Sequence, residues 1–475
     1  MRLTACLAVT LLCLSGCGPS GAGTTPEPPS PPAPPNAVAT VRVALSEGVP
    51  VKLRQGFLHG LTTGQISELT QDRITALQPG AWRVSNLFGT FEIVVQQQVQ
   101  ARFGTRVAFN LQDQFSAQWG NPVVVGPDCV ANTPSHCFAD YGQLKTAWSI
   151  FADQFMQSVV TRAAPVDQYD IFSEPGSTFK GVTQAQLFEL LKIAHDAIRR
   201  VKPDAVIVAP SIERFDAVGL RAMADFAAAS GVRIDALSWH ELEGTPADVA
   251  AHVTAARQLA SQAYATSPVL APTQIHINEY GAPQNHLIPG WTLGWLAAFE
   301  ASGVDVATRA CWQATAVWSD CANGLNGLLL EDNSTPQPLY HVHRFWAALP
   351  AGRLPATSDT AGVVAIAARD GAGVALLLGR YSCGSGGKWC LGAGLPVADQ
   401  PLAPLDLRIE LDGLGSATAA RASIECATNL ATPGALSVPV NRAPVSAAVS
   451  AGRVKLTISS VGDGDVCAVR VVLSG

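Results

Sequence analysis

A chain of 475 residues with a formal net charge of −6 is long enough for two or three domains, or for one large barrel with an appendage. With 48% hydrophobic and 14% charged residues it can bury a sizeable core, which excludes bulk disorder. The mild acidity excludes the electrostatic footprint of a nucleic-acid binder, and beyond the N-terminus no run of about 18 apolar residues offers a spanning helix.

In chain order, residues 1–16 read as an export signal. Arg2 supplies the positive start and Leu3 to Leu14 the short apolar stretch. The tetrad Leu14-Ser15-Gly16-Cys17 resembles the lipobox of bacterial lipoproteins. That resemblance implies cleavage before Cys17, acylation of Cys17, and a lipid-anchored place in the cell envelope at the outer membrane or cell surface. An ordinary signal peptide with a coincidental cysteine is the plainer alternative. Residues 17–38 follow as a tether, with eight prolines between Pro19 and Pro35. Such a segment is semi-extended polyproline, rising about 3 Å per residue.

Residues 39–54 hold a pair of strands expected to join a later sandwich. From there, short apolar runs alternate with helical segments. The runs are Gly56–Gly60, Trp82–Ser85, Arg106–Leu111, Tyr169–Phe172, Ala205–Ala209, Ile234–Ser238, Gln274–Asn278 and Thr308–Trp312. The clearest helix spans Thr183 to Lys202, with Leu187, Leu190, Leu191, Ala194 and Ile198 on one face. Thr183 and Gln186 form its capping box, and Pro203 ends it. His195 on this helix reads as a packing residue. Eight strand–helix units predict an α/β fold, a (β/α)8 TIM barrel over residues 55–350. A doubly wound sheet is the competitor, but no Gly-x-Gly-x-x-Gly turn follows the first strand. Over residues 355–475 helical period gives way to alternating runs separated by Gly, Ser and Asp, which predicts a C-terminal β-sandwich.

Eleven cysteines, less Cys6, Cys13 and Cys17, leave Cys129/Cys137, Cys311/Cys321, Cys383/Cys390 and Cys426/Cys467. An even number in an exported chain predicts four disulfides, with neighbour pairing one of many possible connectivities. No Cys-x-x-Cys or His-Glu-x-x-His occurs, so no metal or other cofactor is expected. His341-x-His343 reads as an element end at the close of the barrel.

Active sites of such barrels sit at the C-terminal ends of the strands. The fourth run ends Asp170-Ile-Phe-Ser-Glu174-Pro175, and the seventh ends Ile275-His-Ile-Asn-Glu279-Tyr-Gly281. Period-two parity puts Ile275, Ile277 and Glu279 on one face. Two carboxylates facing each other across a barrel mouth are the machinery of glycosidic cleavage, one protonating the leaving oxygen and one attacking the anomeric carbon. Partial burial and the charge of Glu279 are expected to raise the pKa of Glu174.

On these residues the chain resembles the clan A glycoside hydrolases over roughly residues 54–350, and among them family 39, the β-xylosidases and α-L-iduronidases. Ser238-Trp-His240, Phe57-x-His59-Gly60 and Asn278-Glu-Tyr-Gly281 carry the finer likeness. The resemblance implies a retaining enzyme acting on a glycan substrate, with Glu174 as acid/base and Glu279 as nucleophile. It further implies that Trp312 floors the sugar subsite, that Arg83 orients the nucleophile, and that His59, Ser173, His240 and Asn278 line the sugar. One departure stands out: Ser173 occupies the place of the clan's Asn before the acid/base, a residue that bonds the sugar 2-hydroxyl. Two readings follow, a glycosidase for an unusual sugar and a non-catalytic glycan-binding lipoprotein on a glycosidase scaffold.

Overall fold

The computed structural model describes residues 36–45, 48–58, 68–84, 90–119, 121–126, 137–282, 285, 287–310, 324–330, 334–384, 397–398, 402–429 and 438–475. The export signal, Cys17 and most of the tether lie outside them, as do His59, Trp312, Cys129, Cys311, Cys321 and Cys390.

Eight parallel strands close into a barrel in sequence order. They are β1 (Arg54–Leu58), β2 (Ala81–Val84), β3 (Arg106–Asn110), β4 (Gln168–Asp170), β5 (Val206–Ile212), β6 (Ala236–Glu241), β7 (Gln274–Tyr280) and β8 (Val306–Arg309). Each of the eight expected runs overlaps one of them, and β8 closes onto β1 with Thr308 opposite Gly56. The helix Gln184–Val201 carries the expected capping box, with both reciprocal bonds present. Leu190, Leu191, Ala194 and Ile198 are buried against the barrel, and Leu187 is half-buried. His195 is buried as well and accepts the backbone N–H of Arg233 at 3.2 Å, a packing role. His343 sits in the helix Pro338–Ala347 and bonds Gln55 at 3.0 Å, so it is engaged in packing the barrel's outer layer. No helix among the described residues is long and apolar enough to cross a membrane.

Most of the remaining strands form two antiparallel-rich sheets packed on their own apolar core. One sheet contains Leu405–Asp412, whose Leu405, Leu407, Ile409 and Leu411 point inward while the residues between them are more exposed. The strand Ala37–Ala44 runs parallel to it, with Ala37 opposite Leu405 and Ala44 opposite Asp412. The segment ahead of the barrel thus returns to the C-terminal sheets. Cys426 and Cys467 lie directly opposite one another on neighbouring strands and are joined by a disulfide. Cys383 is also disulfide-bonded. Cys137 is a free thiol, against the expected pairing with Cys129. Its strand Cys137–Phe138 is held instead in a small sheet by Val123–Val125.

The helix Pro289–Ser302, between β7 and β8, lies against the sandwich strands Val363–Asp370 and Gly373–Arg380. Two glycines allow the approach. A Cβ on Gly290 would collide with the Arg380 carbonyl oxygen, and one on Gly294 would stand 2.8 Å from the Tyr381 ring. Gly290 N–H donates to Gly464 O at 2.8 Å across the same seam, and the Trp291 ring packs 4.8 Å from that of Tyr381. Since alanine is the better helix former, Gly290→Ala in an open helix would stabilise by about 1 kcal/mol. Here overpacking against a backbone carbonyl should dominate and destabilise by about 1–3 kcal/mol in urea unfolding. A rise in stability would contradict the seam.

Candidate active site

The upper barrel interior is polar, and its hub is Asp170. This carboxylate is fully buried on β4 and receives four donors. Arg83 Nε of β2 donates to Oδ2 at 2.7 Å, Asn278 Nδ2 of β7 at 2.9 Å and Asn110 Nδ2 of β3 at 3.2 Å. Ser211 Oγ of β5 donates to Oδ1 at 2.6 Å, and Ser238 Oγ of β6 accepts the Ser211 backbone N–H at 2.9 Å. A buried carboxylate is tolerated only when its lone pairs are matched in this way.

Arg83 carries the hub to the mouth. Its Nη1 donates to Glu279 Oε1 at 2.8 Å, so one guanidinium bridges the buried Asp170 and the half-buried Glu279. Glu174 stands on the segment after β4. Its backbone is left-handed, with φ 50° and ψ 57°, and it heads the short helix Pro175–Thr178. Non-glycine residues held there store strain of about 1–3 kcal/mol and cluster at functional sites. The backbone N–H of Glu174 donates to Ser211 O at 2.9 Å, and Ser211 is itself left-handed at φ 48°.

His240, on β6, stands between the two glutamates. Its Nδ1 lies 3.1 Å from Glu174 Oε1 and 3.9 Å from Glu279 Oε2. One ligand-type atom from each of Glu174, His240 and Glu279 falls within 4.8 Å of the others. The bond from His240, with help from Arg83, holds the Glu174 carboxyl below its ordinary value of 4.5 despite partial burial. This corrects the expected rise: a donor at hydrogen-bond distance favours the charged form more than half-burial disfavours it. Any stability drawn from the bond is therefore complete above about pH 4.5 and lost as pH falls through the lowered value.

The expectation for β7 is also corrected. Asn278, not Ile277, points across the barrel, since its side chain meets Asp170 and Ser211. Ile275 and Ile277 then face the helix layer by strand parity. Glu279 still reaches the mouth because the register slips beside it, between Ile277 and Tyr280 on the β8 side and between Trp239 and His240 on the β6 side. Such irregularities re-aim side chains next to active sites. Asn278 is only 3% exposed, and its amide donates to Asp170 and Ser211 of the hub. Ser173 is at the edge of burial, its carbonyl accepting from Gln112 Nε2 and from Thr178 Oγ1 at 3.2 Å. Arg83, Ser173, Glu174, His240 and Glu279 are thus brought together. The sequence reading missed Asp170 and Ser211 as the hub, and Asp113, whose acid burial pushes up to about 6 beside Arg83, Glu279, Asp170 and His240.

No protein-family model matches the sequence, and no curated protein matches it. Solved structures match the fold. N2152 from Neocallimastix frontalis is 15% identical with a TM-score of 0.69, over 92% of this chain and 99% of that one. The GH39 enzyme from Xanthomonas axonopodis pv. citri is 14% identical with a TM-score of 0.61, over 93% and 99%. A monomeric β-xylosidase from Caulobacter crescentus CB15 is 13% identical with a TM-score of 0.62, over 91% and 99%. At these identities the likeness is one of fold, a (β/α)8 barrel with an attached β-sandwich.

Removing His240 tests the electrostatics of the mouth without assuming any reaction. In His240→Ala the Glu174 carboxyl, followed by carbon-13 NMR of labelled glutamate, should titrate at higher pH than in the wild type. An unchanged or lower midpoint would show that the bond does not set it.

Proposed function

We propose that the protein is a retaining O-glycoside hydrolase acting on an oligo- or polysaccharide, with Glu279 as nucleophile and Glu174 as acid/base. The observation that carries this reading is the closeness of the two glutamates around His240, within 4.8 Å by their nearest ligand atoms. Retaining enzymes hold their carboxyl groups about 5–5.5 Å apart, whereas inverting ones leave about 6.5–9.5 Å for a water. The fold shared with the GH39 enzyme and the β-xylosidase supports the same class.

Arg83, fixed from behind by Asp170, keeps Glu279 aimed. A bound sugar displaces water from Glu174 and so favours its neutral form. Glu174 then gives its proton to the leaving oxygen as Glu279 bonds the anomeric carbon. In the second step Glu174 takes a proton from water, which displaces Glu279 and leaves the product with retained configuration. The 3.1 Å contact to His240 serves both states. Nδ1–H donates to the carboxylate, and the other tautomer's bare Nδ1 accepts from the carboxylic acid. Trp312 and His59 are the proposed aromatic floor and hydroxyl partner of the sugar, alongside Ser173.

The short side chain of Ser173 favours a second reading, a glycan-binding protein without turnover, because the bond to the sugar 2-hydroxyl adds several kcal/mol in the transition state, roughly. A panel of aryl pentosides, hexosides and uronides separates the two. Turnover by the wild type and a loss of roughly a thousandfold or more in Glu279→Gln are expected of the hydrolase. Near-wild-type turnover in that variant would remove Glu279 from its role, and sugar binding with no turnover would favour the second reading.

The lipobox and the proline tether support anchoring of the catalytic body in the cell envelope through acylated Cys17. Replacing Cys17 by Ser should shift the protein from the membrane fraction to the soluble fraction; unchanged partitioning would contradict the anchor.

A further inference from the structure

A third carboxylate enters the mouth from the junction after β3. That strand runs straight into the helix Leu111–Trp119, with Asp113 in its first turn. The junction is clamped to the end of β4. Asn110 Nδ2 donates to Phe172 O at 2.7 Å, Gln112 Nε2 donates to Ser173 O, and the Asp113 backbone N–H donates to Asn110 Oδ1 at 2.7 Å. Asp113 thus belongs to a junction bonded to Phe172 and Ser173, with Arg83, Glu279, Asp170 and His240 close enough for their charges to act on it.

The carboxylate of Asp113 is half-buried, yet among the described residues it accepts no hydrogen bond and joins no ion pair. A partly desolvated acid without donors is unfavourable for the fold alone, as its raised pKa shows. Donors brought by a ligand would relieve it. Sugar hydroxyls are such donors.

The charge around it narrows the sugar. Asp113, Asp170, Glu174 and Glu279 surround one guanidinium, whose Nε and Nη1 are taken by Asp170 and Glu279 and whose Nη2 is sealed from solvent. Among the described residues, no other arginine or lysine is paired with these carboxylates. A substrate carboxylate would meet like charges, and the arginine paired with them is already engaged.

Building on the glycosidase reading above, we infer that Asp113 is a sugar-binding residue: its carboxylate accepts hydrogen bonds from the hydroxyls of an uncharged sugar and repels uronic acids. The test uses p-nitrophenyl glycosides in matched pairs, each a neutral sugar and the uronide of the same configuration, with the full folded chain. Asp113→Ala should lower kcat/KM on the neutral member about 10- to 100-fold, the range of a lost hydrogen bond to a charged group. Asp113→Asn keeps the shape and removes the charge, so it should fold with a melting temperature no lower than the wild type's and lower the neutral-to-uronide ratio about tenfold. A merely structural residue would not move that ratio. Values of kcat/KM and of the ratio within twofold of wild type in both variants would overturn the inference while leaving the glycosidase reading intact. So would a wild type that prefers the uronide. No turnover of any pair by the wild type would instead overturn the glycosidase reading, and the inference with it.

Discussion

The bond from Arg83 to Asp170, between two fully buried side chains at 2.7 Å, is the interaction on which the mouth of this barrel depends. Either charge alone in that interior would cost several kcal/mol, so each requires the other. Asp170 also gathers donors from β3, β5 and β7, which with Arg83 of β2 ties five strands together at the level just beneath the two glutamates. The far side of the same guanidinium holds Glu279. The position of Glu279 is therefore inherited from the barrel's polar interior, a rigid element, rather than from a loop.

Around that fixed point the backbone departs from regularity where the site needs it. The register slips beside Glu279 bring it to the mouth next to an inward-pointing Asn278, two successive residues serving one side of the strand. Glu174 and Ser211 both take left-handed backbone, and each is held by bonds to the other's neighbourhood: Glu174 N–H to Ser211 O, and Ser211 Oγ to Asp170. His240 then links the two glutamates, lowering the pKa of Glu174 while lying 3.9 Å from Glu279. Burial acts in the opposite direction on Asp113, which among the described residues has no such donor.

Much of this was legible in the sequence because it rests on local pattern. Eight apolar runs, the Thr183/Gln186 capping box and the alternation in Leu405–Asp412 each follow from a period that one segment reveals. The glutamates were findable because strand ends are where barrel chemistry lies. What escaped depends on partners distant in sequence. Parity on β7 placed Ile277 inward because apolar residues usually fill a barrel; the polar hub reverses that, and its members Asp170, Ser211 and Asn278 come from three strands. The slip that rescues Glu279 is set by the neighbouring strands. The signal for this junction was present as a polar end to β3, Asn110-Leu-Gln-Asp113, but only the bonds from Asn110 and Gln112 to Phe172 and Ser173 bring it to the end of β4.

The most direct test of the account is covalent trapping of the intact protein with activated 2-deoxy-2-fluoro glycosides, followed by intact mass and peptide mapping. The account predicts a one-to-one adduct on Glu279 within the β7 peptide, formed by the wild type and absent in Glu279→Gln. An adduct on a different carboxylate, or turnover of the parent glycoside with inversion at the anomeric carbon, would contradict it.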